Sequence, residues 1–394
     1  MSLETCLARI DARDAQVRAW SFIDHEAAGG AGPLAGAVLG VKDVIDVAGM
    51  PTTHGSAIFA DNVAGADAEC VARLLAAGAV VLGKTVTAEF ATYHPGPTVN
   101  PRKPGHTPGG SSSGSAAAVA DGQADFALGT QTAGSVIRPA SFCGVLGFKP
   151  SFGRWPLGGV LETSPNLDTL GLFARNLELL RTADAVLIGE QGQPPAARSL
   201  AIGLCPSPAW PEASAEMQAA FHTFARKLAL AGHKVTETTL PATYGHLAEA
   251  QALIHRREAW MTMGHIRRDH PERVSDAFRT MIDQGEAESE ADYRAALALQ
   301  RDCRAQCPDL FAGIDMLLVP GAPGAAPEGL DATGNPAFQR IWTAIGAPCL
   351  GFPAEWRSDG LPLGLQVIGR PGSDRQFLAN AAHIVELAEF RENQ

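Results

Sequence analysis

Apolar residues recur along the chain in two alternating rhythms. Leu3, Leu7, Ile10 and Val17 return at roughly helical spacing and predict an amphipathic helix over residues 3–20. A Gly/Ala-rich loop follows, then residues 34–41, an apolar run that reads as a buried strand entering a turn, with Lys42 directly after it. Residues 67–77 form a second amphipathic helix. The small-residue run 116–120 predicts a helix, and 126–128, between Gly122 and Gly129, a short buried strand. Farther on, helices are predicted at 176–188, 211–230 and 337–345, and strands at 200–204, 234–238, 315–320, 349–352 and 363–368. Residues 244 to about 306 read as mostly helical and polar, and Ser373 is the expected N-cap of a last helix over 374–390. Strands alternating with helices predict an α/β sandwich whose sheet is covered on both faces, with the site on loops at strand ends.

Composition narrows the function classes. Of 394 residues, 46% are hydrophobic and 19% charged, which suits a large core. The net charge of −11 argues against a phosphate-backbone partner, which requires a basic face. The first residues lack the basic and apolar regions of a signal peptide, and no apolar run reaches membrane-spanning length. A cytoplasmic location is therefore expected, with no nucleic-acid or membrane partner. Seven cysteines without a CxxC pair read as free buried thiols. Cys303 and Cys307, at i and i+4, supply only half a metal site, and no metal or cofactor is expected.

Two motifs mislead. Residues 78–85 spell the phosphate-loop pattern GxxxxGK[ST], but a helix precedes them and 80–82 is itself strand-like, so that reading is rejected. Six histidines (His54, His94, His106, His246, His255 and His265) invite a Ser-His-Asp reading, yet no GxSxG elbow accompanies them. Neither Cys143 as a nucleophile nor an HExxH metal motif finds support.

The chemistry concentrates in residues 105–150, where serines sit between glycines: Ser111, Ser112 and Ser113 in one loop, Ser135 in another. Glycines let a backbone approach a substrate closely. Successive N–H groups over 131–135 suit a developing oxyanion. A serine there stays inert until a base takes its proton. Lys42, between Gly40, Val41, Val44 and Ile45, is either that base or a strand-end lysine that snorkels to water. Ser112, Ser113 and Ser115 have the alternative task of capping the alanine-rich helix.

Together, Gly40-Val-Lys-Asp43, Pro108-Gly-Gly-Ser-Ser-Ser-Gly-Ser-Ala-Ala-Ala118, Gly129-Thr-Gln-Thr-Ala-Gly-Ser135-Val-Ile-Arg-Pro139, Phe142-Cys-Gly-Val-Leu-Gly-Phe-Lys-Pro150 and Gly360-Leu-Pro-Leu-Gly-Leu-Gln-Val-Ile-Gly-Arg-Pro371 resemble the amidase signature family. The resemblance spans most of the chain and leaves about 205–310 unmatched. It implies a three-layer α/β/α sandwich with a central mixed, twisted sheet. It also implies one domain over 1–394, with a catalytic core at about 30–200 and 312–394 and a variable, mostly helical, pocket-shaping region between.

The family's Ser-cisSer-Lys triad maps to Ser135 as nucleophile, Ser111 as relay and neutral Lys42 as base, with the cis peptide at Gly110-Ser111. The N–H groups of Thr132, Ala133, Gly134 and Ser135 map to the oxyanion hole, and Ser112 and Ser113 to the supporting network. Ala133 replaces a glycine common in the family; if that position needs positive φ, alanine costs about 1–2 kcal/mol there. Gln131 stands where many members have Asp, and Arg138 lies three residues after Ser135. Both are expected to contact substrate. The arginine spacing, with SVIRPxxFCG around it, makes the chain most similar to a malonamidase-like branch, in which the matching arginine holds a substrate carboxylate; the alternative is an arginine paired with a buried Asp or Glu. The implied activity is hydrolysis of a small amide bearing a second acidic or polar group. Carbamate, urea-derivative or aryl-acylamide hydrolysis, or a non-autonomous amidotransferase A-type subunit, are the rivals. A homodimer is expected, and Tyr93, His94, Trp210, Trp260, Phe338 and Trp342 are candidate pocket walls.

Overall fold

The computed structural model describes residues 1–390 apart from Gln191, Gln193 and Arg198. One eleven-stranded sheet runs through it in the order β1-β3-β2-β4-β6-β5-β10-β11-β9-β7-β8. The strands are β1 (Trp20–Ile23), β2 (Val38–Lys42), β3 (Val80–Thr85), β4 (Phe126–Gln131), β5 (Leu146–Lys149), β6 (Thr169–Ala174), β7 (Ala201–Leu204), β8 (Lys234–Glu237), β9 (Met316–Pro320), β10 (Cys349–Trp356) and β11 (Pro362–Ile368). Pairing is parallel across β3-β2-β4 and β9-β7-β8 and antiparallel elsewhere, so the sheet is mixed.

Helices α1 (Leu3–Val17), α2 (Glu69–Ala76), α3 (Ser113–Asp121), α4 (Ile137–Cys143), α5 (Leu177–Ile188), α6 (Ala215–Leu230), α7 (Leu247–Asp269), α8 (Asp276–Ala287), α9 (Glu290–Gln306), α10 (Arg340–Ala344) and α11 (Asp374–Leu387) complete the three layers. Strand periodicity sorts the faces. Ala127 and Phe173 pack against α1 and α3, whereas Phe126, Leu128, Leu172 and Ala174 pack on the side of α2 and α5. The expected α/β/α sandwich is the observed one.

The face under α3 is built from small side chains, and this brings the two serine loops together. All nine residues of α3 are buried. At Gly114 an added Cβ would lie 2.2 Å from Ala19 O and 2.4 Å from Val86 N, both backbone atoms that cannot swing away. Gly114→Ala is therefore expected to destabilise the fold by about 1–3 kcal/mol, read as a lowered urea midpoint. An unchanged midpoint would show that the helix can lift without cost.

Several expectations need correction. The sequence pattern does not predict strands β1, β5 and β6 or helix α4. Pro139 lies in the first turn of α4, where a missing N–H costs nothing. Residues 211–230 divide into a 3-10 turn at Trp210–Glu212 and α6. Ser373 occupies the N-cap position of α11 but does not cap: its hydroxyl donates to Arg370 O at 2.7 Å. The polar stretch from 244 resolves into α7, α8 and α9. Residues 83–84 of the phosphate-loop spelling lie inside β3, where buried Lys84 donates to Thr52 Oγ1 (2.8 Å) and approaches Asp43 (3.4 Å). All seven cysteines are free and buried. Among the described residues, no helix is long and apolar enough to cross a membrane.

Candidate active site

Lys42 ends β2 with no exposed surface, in contact with two hydroxyls: Ser111 Oγ at 2.8 Å and Thr130 Oγ1 at 2.8 Å. Burial lowers its pKa to about 7, because the charged ammonium loses water; the charge of Asp168 pulls the other way without prevailing. A neutral amine has two donors and one lone pair. It can donate to Thr130 while accepting from Ser111, so both contacts survive deprotonation.

Ser111 follows a cis peptide after Gly110. Its loop is held by the serines beyond it, not by capping. Ser112 Oγ accepts from Thr130 N and donates to Thr130 O, each at 3.3 Å. Ser113 Oγ donates to Val86 O at 3.4 Å, and Ser115 Oγ to Leu128 O at 2.8 Å. These bonds stitch α3 to β3 and β4, and Ser112 makes no side-chain cap bond, so the alternative capping task is not what they do.

Ser135 lies in the loop from β4 to α4, 8% exposed. No hydrogen bond joins its hydroxyl to Ser111 among the described residues; such contacts often tighten only with substrate bound. The loop is fastened through its carbonyls. Gln251 Nε2 of α7 donates to Thr132 O at 2.9 Å, and Thr343 Oγ1 of α10 to Ala133 O at 2.7 Å. Thr132 Oγ1 also donates to Asp168 at 2.6 Å. By contrast, the N–H groups of Thr132, Ala133, Gly134 and Ser135 have no acceptor among the described residues. A row of donors so arranged suits a developing negative charge. Ala133 lies outside the left-handed region, so alanine is unstrained there and the cost considered above does not arise. Gly134 is fixed by space instead: a Cβ would sit 2.8 Å from Gln339 Oε1 and 3.0 Å from Pro336 Cβ.

Gln131 differs from expectation. It is fully buried; its Oε1 accepts from Val136 N (2.9 Å) and Ile137 N (3.0 Å), and its Nε2 donates to Thr343 (2.9 Å). With its oxygen and one N–H engaged it anchors the start of α4. Arg138 is buried as well. Its Nη2 donates to Gly110 O at 2.6 Å and Thr333 Oγ1 at 3.1 Å, while Nε has no partner. No carboxylate pairs with it among the described residues, which overturns the alternative of a structural ion pair. Burial, then the charge of Arg340, lowers its pKa to about 9, so it remains charged at neutral pH.

Asp168, which sequence reading missed, is buried and accepts from Thr132 Oγ1 and from the N–H groups of Thr163 and Ser164. Burial raises its pKa to about 6 against those bonds. A cavity of about 90 Å³ touches it and Thr130, walled by Leu157, Val160, Leu161 and Thr163. Larger grooves around Arg154 and Trp260 touch none of Lys42, Ser111 and Ser135. Of the candidate walls, Phe338 and Trp342 are core, and Trp210 packs on Phe221. Tyr93 is partly exposed and stands 6.1 Å from the His255 ring. No histidine bonds to Ser111 or Ser135 among the described residues.

A family model described as Amidase matches residues 3–378. The chain belongs to the amidase family. Among its relatives, the 2-amino-5-chloromuconic acid deaminase of Comamonas testosteroni is 33% identical over 389 residues, covering 90% of this chain and 82% of that one. The A-type subunit of the glutamyl-tRNA(Gln) amidotransferase of Koribacter versatilis is 32% identical, covering 90% and 85%. A crystal structure of an amidase superposes with a TM-score of 0.89 at 31% identity, over 98% of this chain and 95% of that one. The protein is thus an amidase-family enzyme acting on amide carbon–nitrogen bonds.

Proposed function

We propose that this amidase hydrolyses a small amide through an acyl-enzyme on Ser135. The observation that carries the reading is the buried contact of Lys42 with Ser111 at 2.8 Å. Neutral Lys42 takes the Ser111 proton as Ser111 takes that of Ser135, whose Oγ attacks the carbonyl carbon. The oxygen that becomes negative is received by the N–H row from Thr132 to Ser135. As the tetrahedral adduct collapses, the proton returns along the same path to the departing nitrogen, and the amine leaves. Water then attacks the ester, giving up its proton by that route, and releases the acid. Ser112 and Ser113 hold the relay loop in register.

Arg138 supports a finer, malonamidase-like reading. A buried guanidinium without a carboxylate partner, bonded instead to a carbonyl and a hydroxyl, suits a substrate carboxylate. The substrate is then a small amide with an acidic group on its acyl side. Purified enzyme alone is expected to turn over malonamate in preference to neutral amides. Arg138→Ala should lower kcat/KM on malonamate by about 100-fold and on a neutral amide far less. Equal losses on both would remove the carboxylate role, and failure on every free amide would remove autonomous hydrolysis.

A further inference from the structure

A second arginine is tied to the nucleophile loop that Arg138 also touches. Arg340 opens α10, half-buried, and its Nη1 donates to Gln251 Oε1 at 2.6 Å. Gln251 in turn donates to Thr132 O at 2.9 Å, so one amide ties Arg340 to the backbone that carries the unpartnered N–H row. The neighbouring Gln339 lies against the same loop: the Cβ position of Gly134 is 2.8 Å from Gln339 Oε1 and 3.4 Å from Arg138 Nη1. Arg340, through Gln251, and Arg138 thus both attach to the segment 132–134, near enough that the charge of Arg340 acts on Arg138.

Neither arginine pairs with a carboxylate among the described residues, although the chain carries a net charge of −11. Two like charges brought together around a buried loop are unfavourable unless an anion joins them. No side chain supplies it among the described residues. His255 adds no charge: burial first, then Arg340 and Arg256, hold its pKa at about 3, and both ring nitrogens lack hydrogen-bond partners. The acidic end of a substrate would supply that charge.

We infer that Arg340, oriented by Gln251, is a second specificity-determining arginine, which with Arg138 receives the acidic end of the substrate. The preferred substrates are then monoamides of short dicarboxylic acids. This rests on the amidase reading above and goes beyond it in assigning Arg340.

The test compares wild type with Arg340→Gln and Arg340→Lys. It measures kcat/KM on the monoamides of malonic and succinic acid and on propionamide, together with calorimetric Kd values for malonate and succinate. Arg340→Gln should lose about 10- to 100-fold on the acidic amides, mainly in KM, and weaken dicarboxylate binding by a similar factor. Propionamide turnover should change less than about threefold, and Arg340→Lys should recover part of the loss. Equal losses on acidic and neutral amides would overturn the assignment, as would an unchanged dicarboxylate Kd or no dicarboxylate binding by wild type. If wild type hydrolyses no amide yet binds malonate or succinate through Arg340, the amidase reading fails and the substrate assignment with it, leaving only a dicarboxylate-binding arginine.

Discussion

Ser135→Ala is expected to reduce amide turnover by about 10⁵-fold or more, leaving substrate affinity nearly unchanged. The split follows from how the loop is held. Thr132 O and Ala133 O are gripped by Gln251 and Thr343, and Thr132 Oγ1 by Asp168. None of these bonds uses the Ser135 hydroxyl, so the loop keeps its shape without it. Arg138 and the N–H row stay in place, and KM reflects them. Only the atom that forms the acyl bond is lost. Intact-protein mass spectrometry after mixing with a slow or activated acyl substrate supplies the independent readout. Wild type should gain the acyl mass, with the adduct mapped to Ser135, and the variant should gain none. An adduct on the variant, or one mapped to another residue, would move the nucleophile elsewhere.

The candidate site is legible in sequence to the extent that its parts lie close along the chain. Ser111, Ser135 and Arg138 fall within one glycine-rich stretch, whereas the apolar neighbours of Lys42 leave burial and snorkelling both open until the fold closes over it. What stays hidden depends on distant partners. Gln251 reaches Thr132 across 119 residues and Thr343 reaches Ala133 across 210, so no local spacing signals either. Thr130 looks like any strand threonine until β2 and β4 pair and bring it to Lys42. Gln131 misleads because a polar residue beside a nucleophile suggests substrate contact; only the fold reveals the two N–H groups it caps. In the fold, long apolar strands such as β9 and β11 are visible in sequence, whereas β5 and β6 are not. Each contains a glycine, which removes the side-chain alternation and marks where Val136 and Ala140 of the nucleophile segment approach the strand closely.

Lys42→Met should lower kcat by about 10⁴-fold and, more tellingly, abolish its pH dependence. The base must be neutral to accept a proton, and its pKa is about 7. Below that value the amine is charged, and kcat/KM of wild type should fall tenfold for each unit of pH; above it the rate should level. Methionine fills the same volume without a lone pair, so the residual rate should show no limb near pH 7. Lys42→Arg sharpens the case. It keeps a cation beside Ser111 and Thr130 but remains protonated throughout the accessible range, so it should be inactive even where wild type is fastest. Activity in the arginine variant would mean that positive charge, and not proton acceptance, is what the position supplies. A wild-type limb at pH 9 or higher would mean that the ammonium finds a counter-ion that the described residues do not present: among them Asp168 acts on it, but it is bonded to Thr132, Thr163 and Ser164 and does not offset the effect of burial.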